Sequence, residues 1–264
     1  MGVQLTILGS GSAGNCTLIE TDTTRILVDA GLSARQITQR LAAVGRDIGQ
    51  VQAVILTHEH GDHTRGLGVL CKQRSLPVYA NRLTAEAVAE DPDWGGEARV
   101  SWRLFSTGTA FEIGDLVVES FSIPHDAFDP VGYVVRHGGQ AIGVLTDLGH
   151  ATKLVIERLR ATDLLVVEAN HDLKLLQADT ARPWALKQRI MSRHGHLSNE
   201  AAATLTGEVV SDRLRRVLLA HLSRDCNRPE LARRTVTTKL SQLGAHQVTV
   251  MVASQATPTA TVTV

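Results

Sequence analysis

Cysteine is scarce in this sequence, and the spacing of the few cysteines excludes two kinds of site. The 264 residues include three, Cys16, Cys71 and Cys226, and none of them forms a C-x-x-C pair with another. An odd, widely spaced set argues against a disulfide framework and against a zinc site built on thiolates. We therefore expect a protein of the reducing cytoplasm.

Long apolar runs and leader-like segments are also missing. No run approaches the roughly 20 apolar residues that a transmembrane helix needs. Residues 1–5 lack the basic region and apolar core of a signal peptide, and they lead directly into a strand-like stretch. The sequence contains no short repeat and no low-complexity linker. These absences predict a cytoplasmic chain that has no membrane partner.

Neither sign of charge is in excess. Lys and Arg together number 27, as do Asp and Glu, so the formal net charge is zero. This balance neither supports nor excludes nucleic acid as a partner, because a neutral protein can carry a local basic patch. Histidine is the informative count, at 11 residues.

Four of the potential metal ligands lie in one segment, residues 57–63, which reads THEHGDH. It follows the apolar run 51–56, which is typical of a buried strand. Imidazole and carboxylate groups suit Zn²⁺, Mn²⁺ and Fe²⁺. One ion cannot easily take four side chains from so short a segment. The pattern therefore predicts two ions, with His58 and His60 on one, and Asp62 and His63 on the other.

Three later residues could supply further donors, because each follows an apolar stretch typical of a strand: His125, Asp147 and His221. A single histidine after a strand is usually an ordinary polar loop residue. Three such donors in a chain that already carries the segment 57–63 indicate further ligands of the same centre. Asp29 also ends a predicted strand, where α/β proteins place site residues, although alone it would be a helix-entry carboxylate.

The order of predicted elements indicates an α/β fold made of two similar halves. Each half supplies strands followed by helices and has site-like residues at strand ends. This order predicts a four-layer αββα sandwich, with two sheets face to face, helices outside and the site along one edge between the halves. We expect residues 1–264 to form one domain, with a surface loop over residues 91–96. A Thr-rich tail after about residue 253 is expected to be loosely held.

The ordered set of candidate residues resembles the five motifs of the metallo-β-lactamase fold: Asp29, His58-x-His60-x-Asp62-His63, His125, Asp147 and His221. The resemblance implies that His58, His60 and His125 hold one ion. It implies that Asp62, His63 and His221 hold a second, with Asp147 as the bridge and Asp29 supporting the metal loop. Two divalent ions, zinc or manganese, are the implied cofactors. H-x-H-x-D-H is specific for the fold and not for the reaction.

Three further stretches resemble the YycJ/WalJ-like family of bacterial cytoplasmic proteins and, more distantly, ribonuclease Z: GSGSAGNC at 9–16, EANHD at 168–172 and GHLSN at 195–199. That family is linked to 5′-to-3′ exonuclease activity on DNA. The resemblance therefore implies a phosphodiesterase acting on nucleic acid, most simply DNA. From its residues alone, the loop 9–15 fits either a backbone contact with phosphate or a tight connection between strands.

The same resemblance pairs Glu168 with His196, and phosphodiester chemistry gives the pair a use. Two metals about 3.5–4 Å apart can activate water and stabilise the attacking and leaving oxygens. A protonated His196 held by Glu168 would then be a general acid, although the pair could also be purely structural. With Asp62, they are the candidate catalytic residues.

Candidate phosphate contacts follow from position alone. Ser223, Arg224 and Asn227 come just after His221, and arginines are frequent from residue 182 to residue 228. Some of these arginines could line a phosphate channel, but ordinary solvated charge explains them equally well. His171 and His194 are nearby alternatives for binding phosphate.

Two other functions remain compatible with the sequence. A hydrolase of a small thioester, lactone or β-lactam would share the first metal loop but would not need Glu168, His196 or nearby arginines. A metal-holding regulatory protein would keep the ligands without turnover. The chain has no room for an inserted extra domain, which favours a compact nuclease over a precursor-tRNA endonuclease.

Overall fold

Short apolar strands alternate with amphipathic helices along the chain, as seen in a computed structural model that describes residues 2–91 and 100–264. The strands are β1 (Gln4–Gly9), β2 (Cys16–Glu20), β3 (Arg25–Val28), β4 (Ala53–Ile55), β5 (Pro77–Asn81), β6 (Ser101–Phe105), β7 (Ala110–Ile113), β8 (Leu116–Ser122), β9 (Val131–His137), β10 (Gln140–Leu145), β11 (Leu164–Glu168), β12 (Arg216–Ala220), β13 (Thr249–Val252) and β14 (Val262–Thr263). The helices are α1 (Ala34–Ala43), α2 (Gly61–Thr64), α3 (Leu67–Gln73), α4 (Arg82–Glu90), α5 (Lys153–Leu159), α6 (Leu173–Ala178), α7 (Trp184–Ile190), α8 (Asn199–Val209) and α9 (Pro229–Gln242), and a short 3-10 helix spans Ile48–Gln50.

The strands form two seven-stranded sheets of related design. The first has the order β14-β1-β2-β3-β4-β5-β6 and the second the order β13-β12-β11-β10-β9-β8-β7. In the first sheet β1, β2 and β3 are antiparallel and β3 to β6 are parallel. In the second sheet β7 to β10 are antiparallel and β10 to β13 are parallel. The predicted two-sheet α/β sandwich is confirmed.

Successive side chains of a strand point to opposite faces of its sheet, and here both faces are buried. Leu27 packs beneath the helices of the first half, with Ile37 and Leu41 of α1. The next residue, Val28, packs between the two sheets against side chains of the second sheet, such as Val144. A further cluster lies between the second sheet and α5, α8 and α9. Three apolar layers thus separate four layers of backbone.

Strand register places the candidate residues along one edge of the sandwich. β3 and β4 are parallel, with Val28 opposite Ile55, so Asp29 and the metal loop follow neighbouring strand ends. In the second sheet β10, β11 and β12 are parallel, and Glu168 lies opposite Ala220. The carboxyl ends of parallel strands meet at the same edge, which is where open α/β sheets place their sites.

Two features differ from the sequence expectation. The pattern of residues 64–75 is typical of one helix, but in the structure α2 ends at Thr64 and α3 begins at Leu67. Gly66 lies between them and is packed so tightly that a Cβ there would lie 2.1 Å from the Leu32 carbonyl oxygen. The tail after residue 253, expected to be loosely held, pairs as β14 with β1, with Gln4 opposite Thr263. This pairing covers an edge of the first sheet that would otherwise be open.

The predicted surface loop at residues 91–96 lies, beyond Asp91, outside the described residues. The three cysteines are free, as their number and spacing predict, and all three are buried. No helix in the described part of the chain combines the length and apolar character that spanning a bilayer requires.

Candidate metal centre

Three residues at the ends of strands have left-handed backbone conformations. Asp29, Asp147 and His221 have φ angles of 62°, 57° and 53°, and they are the non-glycine residues with positive φ among those described. Residues with a Cβ rarely adopt this conformation, and such strain of about 1–3 kcal/mol per residue clusters at functional sites. All three belong to the set predicted from the sequence.

His58, His60 and His125 form the first group of donors. One ring nitrogen from each lies within 4.8 Å of the others. His125 donates its Nδ1–H to the Gly195 carbonyl at 3.1 Å, which leaves Nε2 as a buried atom without a hydrogen-bond partner in the described structure. Burial lowers the pKa of His125, and burial followed by the neighbouring His63 lowers the pKa of His58 well below its usual value. Neutral imidazoles are the form that binds metal.

Asp62, His63 and His221 form the second group, again with donor atoms within 4.8 Å of one another. The Nδ1 of His63 lies 2.7 Å from Asp29 Oδ2, and the Nδ1 of His221 lies 2.8 Å from Glu168 Oε1. Each buried carboxylate therefore orients one imidazole ring so that the Nε2 of that ring faces the other donors. The His221 Nε2 lies 3.3 Å from Asp62 Oδ2.

Asp147 lies between the two groups. Its Oδ2 is 3.0 Å from His63 Nε2, and its Oδ1 is 3.3 Å from His221 Nδ1 and 3.9 Å from His125 Nε2. The contact of Oδ2 with His63 Nε2 does not have hydrogen-bond geometry, so this buried oxygen has no hydrogen-bond partner in the described structure. Burial alone would raise the pKa of Asp147, but His221 and His63 hold it well below its usual value.

This donor set fits divalent metal. Buried polar atoms normally have partners, and the His125 Nε2 and Asp147 Oδ2 lack them in the same small volume. Imidazole nitrogens and ionised carboxylates are ligands for zinc and for manganese. Burial would raise the pKa of Asp62, yet His63 and His221 bring it below its ordinary value, so this carboxylate too is in its ligand form.

Glu168 and His196, twenty-eight positions apart, are brought together at 2.7 Å between Oε1 and Nδ1. Glu168 is fully buried, whereas the His196 side chain is 22% exposed. Burial would raise the pKa of Glu168, but His196 and His221 bring it to about 2. Burial would lower the pKa of His196, but Glu168 raises it above its ordinary value.

Sequence reasoning missed the contact between Glu168 and His221. Register could have indicated it, because Glu168 lies opposite Ala220 on the neighbouring parallel strand, one position before His221. The candidate acid and a candidate metal ligand therefore share one carboxylate oxygen.

An open cleft of about 270 Å³ exposes the centre. One wall consists of donors, including His60, Asp62, Asp147, His196 and His221. The other wall comes from α6, α7 and the segment between them. It carries Arg182 and Arg189 among apolar side chains, namely Leu176, Leu186 and Ile190. Arg189 pairs with Asp126 at 2.5 Å, and Arg182 pairs with Asp225 at 2.9 Å.

The predicted phosphate contacts have three different outcomes. Ser223 lines the cleft. Arg224 is not among the lining residues, and its side chain is 95% exposed with Asp225 at 3.6 Å. The prediction that Asn227 contacts phosphate is not supported, because the residue is buried. Its amide nitrogen donates to the Ala169 and Asn170 carbonyls at 2.8 and 3.1 Å. Its hydrogen bonds are used inside the protein.

The two alternative histidines also lie away from the cleft lining. His171 is buried, and its carbonyl accepts from the amide of Asn199 at 2.8 Å. His194 borders a separate pocket beside His150. Neither therefore faces the cleft in the described structure.

The sequence matches the beta-lactamase superfamily domain over residues 24–222. It is 37% identical over 244 residues to the exodeoxyribonuclease YycJ of Bacillus anthracis, covering 92% of this chain and 91% of that protein. It is 36% identical over 242 residues to the exodeoxyribonuclease WalJ of Streptococcus pneumoniae serotype 2, covering 92% of this chain and 90% of that protein.

Among solved structures, the metallo-beta-lactamase fold protein YhfI from Bacillus subtilis superposes with a TM-score of 0.74. The superposition covers 98% of this chain and 99% of that one at 18% sequence identity. At this identity the likeness concerns the fold alone, and the fold agrees with the two-sheet sandwich described above.

Proposed function

The chain belongs to the beta-lactamase superfamily, in the family of YycJ and WalJ, and we propose that it is a two-metal phosphodiesterase that digests DNA from the 5′ end. The observation that carries the proposal is the junction of two donor groups at Asp147, with the His196–Glu168 pair beside it in an open cleft. A hydrolase of small esters would need the donors but not that pair. A cytoplasmic location fits the three free cysteines.

The chain's own residues have distinct roles in this proposal. His58, His60 and His125 would hold one ion, and Asp62, His63 and His221 the other, with Asp147 between them. When bound, two divalent ions, zinc or manganese, activate water and stabilise charge on the phosphate oxygens. Asp29 and Glu168 accept hydrogen bonds from the Nδ1–H groups of His63 and His221, which leaves Nε2 of each ring as the atom that would bind an ion.

His196 is the proposed proton donor for the leaving oxygen. Its Nδ1 is engaged by Glu168, which leaves Nε2 as the ring atom that can reach a substrate in the cleft. Glu168 also favours the protonated ring, because it raises the pKa of His196 against the effect of burial. A structural pair without catalytic use would not need exposure to the cleft.

Asp62 faces the same cleft and is the remaining catalytic candidate. Its side chain is 21% exposed, whereas Asp147 and Glu168 are almost fully buried. A carboxylate in that position can accept a hydrogen bond from the attacking water and orient it toward phosphorus.

Arg182 and Arg189 are the proposed contacts for the phosphate backbone, together with Ser223. Both guanidinium groups line the cleft and already bind carboxylates. Phosphate oxygens offer the same planar pair of acceptors, so a nucleic acid can replace Asp225 and Asp126 as the partner.

The test is digestion of end-labelled single- and double-stranded DNA and RNA, each with and without a 5′-phosphate, in zinc or manganese. We expect release of nucleotides from the 5′ end of DNA, and abolition by chelator and by Asp147→Ala. His196→Ala should retain metal and lose about 10²- to 10⁴-fold in kcat. His246→Ala, an exposed histidine away from the centre, is the control and should cleave normally.

Three results would overturn parts of this proposal. Cleavage of a thioester, lactone or β-lactam panel without cleavage of DNA would assign the site to small molecules. Metal binding without turnover on any of these substrates would indicate a regulatory protein. A normal rate in His196→Ala would remove the acid role and leave a structural pair.

A further inference from the structure

The glycine-rich loop of residues 9–15 is closed on itself and on the metal centre. The amide of Gly11 donates to Asn15 Oδ1 at 2.9 Å, that of Ala13 to Gln255 Oε1 at 2.9 Å, and that of Gly14 to the Gly11 carbonyl at 2.9 Å. A phosphate-binding loop needs such amides free and convergent. The hydrogen bonds therefore favour a structural task for this loop.

Asn15 is the residue through which the loop contacts the metal ligands. It is buried, and its amide nitrogen lies 3.3 Å from Asp62 Oδ2 and 3.1 Å from His63 Nε2. Its backbone N–H donates to the Asp62 carbonyl at 2.8 Å. One asparagine thus contacts the carboxylate, the imidazole and the main chain of two consecutive ligands.

Ser10 extends the same network to a third ligand. Its hydroxyl donates to Asn15 Oδ1 at 2.9 Å and accepts the backbone N–H of His221 at 2.8 Å. His221 is one of the residues held in the left-handed conformation. A hydrogen bond to its amide fixes the strained turn that brings the ring into the centre.

The close approach of the loop depends on a glycine opposite it. A Cβ at Gly31 would lie 1.6 Å from the Asp62 carbonyl oxygen and 2.8 Å from the Asn15 nitrogen. The amide of Gly31 donates to the Asn15 carbonyl at 2.8 Å. The loop 9–15, the segment after β3 and the metal loop therefore meet where a side chain would not fit.

The contacts of Ser10 and Asn15 are selective for one donor group. They reach Asp62, His63 and His221, and none of the described hydrogen bonds joins either side chain to His58, His60 or His125. We infer that Ser10 and Asn15 are positioning residues that set the affinity of the second metal site independently of the first. This inference rests on the two-metal site proposed above.

The chemistry of the amide explains why asparagine suits this position. Its oxygen accepts from Ser10 and from the Gly11 amide, while its nitrogen donates toward Asp62. An alanine would supply neither function. An aspartate would keep the acceptors but place a second negative charge beside the Asp62 carboxylate.

The experiment measures bound metal rather than turnover. Wild type, Asn15→Ala, Asn15→Asp and Ser10→Ala are dialysed against limiting zinc, and bound ions are counted by native mass spectrometry and titrated with a chelator. We expect two ions in wild type, and a second ion bound about 10- to 100-fold more weakly in Asn15→Ala, with the first ion unchanged. Ser10→Ala should show a smaller loss, restored in Ser10→Thr.

The matched control is Asn81→Ala, which removes another buried asparagine. Its amide nitrogen donates to the Asp129 carbonyl at 2.6 Å and its oxygen accepts from the Thr84 amide at 2.9 Å, away from the centre. This variant should lose stability but keep both ions. Excess metal should restore kcat in Asn15→Ala, and circular dichroism before metal is added should show the same fold as wild type, which a general loss of folding would not allow.

The outcomes separate the two proposals. A wild-type protein that binds one ion removes the two-metal site and this inference with it. Two ions in wild type, with unchanged affinities in Asn15→Ala, overturn the positioning role alone. Parallel loss of both ions in Asn15→Ala also overturns it, because the effect would then not be selective.

Discussion

The buried carboxylate of Glu168 accepts hydrogen bonds from four N–H groups. Its Oε1 lies 2.7 Å from His196 Nδ1 and 2.8 Å from His221 Nδ1, and its Oε2 accepts the amides of Leu148 and Leu197 at 3.0 Å each. Burial would raise the pKa of this glutamate, but the charge of His196, followed by the hydrogen bonds from His196 and His221, lowers it to about 2. A single residue thus orients the proposed proton donor and a proposed metal ligand.

Replacing this carboxylate by an amide tests that coupling at the scale of one residue. In Glu168→Gln, the new NH₂ group must face either the two imidazole N–H groups or the two backbone N–H groups, so one of these pairs of donors loses its acceptor. We expect about 10- to 100-fold weaker metal binding, measured by chelator competition.

The control for this substitution is Glu208→Gln, on an exposed position of α8, which should bind metal as wild type does. Circular dichroism checks that both variants are folded. Unchanged affinity in Glu168→Gln would show that the carboxylate does not orient the ligands.

At the scale of elements, two hairpin turns join the sheets at one end of the sandwich. Asp115, in the turn between β7 and β8, accepts the hydroxyls of Thr21 and Thr23 at 2.8 and 2.9 Å from the turn between β2 and β3. Burial would raise the pKa of Asp115, but hydrogen bonds from threonine hydroxyls, including Thr24 and Thr21, lower it.

The lowered pKa gives a pH-dependent stability with a definite sign. A carboxyl whose folded pKa lies below its unfolded pKa stabilises the protein above the unfolded value, and this stability is lost as the pH falls through the folded pKa. Asp115→Ala should cost about 1 kcal/mol at pH 7, a small value because the group is exposed. The difference from wild type should shrink below about pH 4.

Urea unfolding of both proteins at pH 7, 5, 4 and 3 measures this difference. Metal-free protein is used throughout, so that the pH-dependent loss of metal does not enter the comparison. A difference that stays constant with pH would mean that the threonines bind Asp115 without regard to its charge.

The segment after β13 is a second element whose contacts reach the site. Gln255 donates to the Gly14 carbonyl at 2.8 Å and accepts the Ala13 amide at 2.9 Å, and its carbonyl accepts from Arg40 at 3.0 Å. This segment therefore clamps the loop of residues 9–15 that carries Asn15.

Removing the clamp should loosen the loop without unfolding the protein. In Gln255→Ala, the amides of Ala13 and Gly14 should exchange with deuterium about 30-fold faster, since two side-chain hydrogen bonds of about 1 kcal/mol each are lost. Gln247→Ala, at an exposed position before β13, is the control. Equal exchange in both variants would show that the loop is held by its own contacts alone.

At the scale of the whole molecule, the centre straddles the two halves. The first sheet and its loops supply His58, His60, Asp62 and His63, and the second supplies His125, Asp147 and His221. Each of the two donor groups contains residues from both halves. Metal bound by both donor groups would therefore link the sheets at the edge of their common core.

Metal removal should accordingly lower the stability of the entire fold. A ligand present at 1,000 times its Kd stabilises the native state by about 4 kcal/mol, which corresponds to roughly 8–16 °C in Tm for a chain of this size. We expect a fall of that order on chelation and recovery on adding zinc, measured by differential scanning calorimetry.

Asp147→Ala supplies the comparison, because it removes the residue that lies between both donor groups. Its Tm should respond little to chelator or to zinc. A wild-type Tm that is equally insensitive would show that the metal does not link the two halves.

The sequence alone determined the sandwich and the set of donors that meet in it. Apolar stretches of four to six residues define the strands, and the residues directly after them were predicted to be the ligands. This works because parallel strands end at a common edge, so position along the chain translates into position in space. The family resemblance, carried by the same local motifs, was confirmed by the comparisons.

Only the tertiary structure decided how the surrounding side chains are used. Asn15 proved to contact Asp62 and His63, whereas Asn227, predicted to contact substrate, is held inside by backbone carbonyls. The tail expected to be loose covers a sheet edge. Hydrogen bonds between residues tens to hundreds of positions apart depend on strand register and on the direction in which loops close. A local sequence pattern predicts neither of these, so the contacts could not be predicted from the sequence.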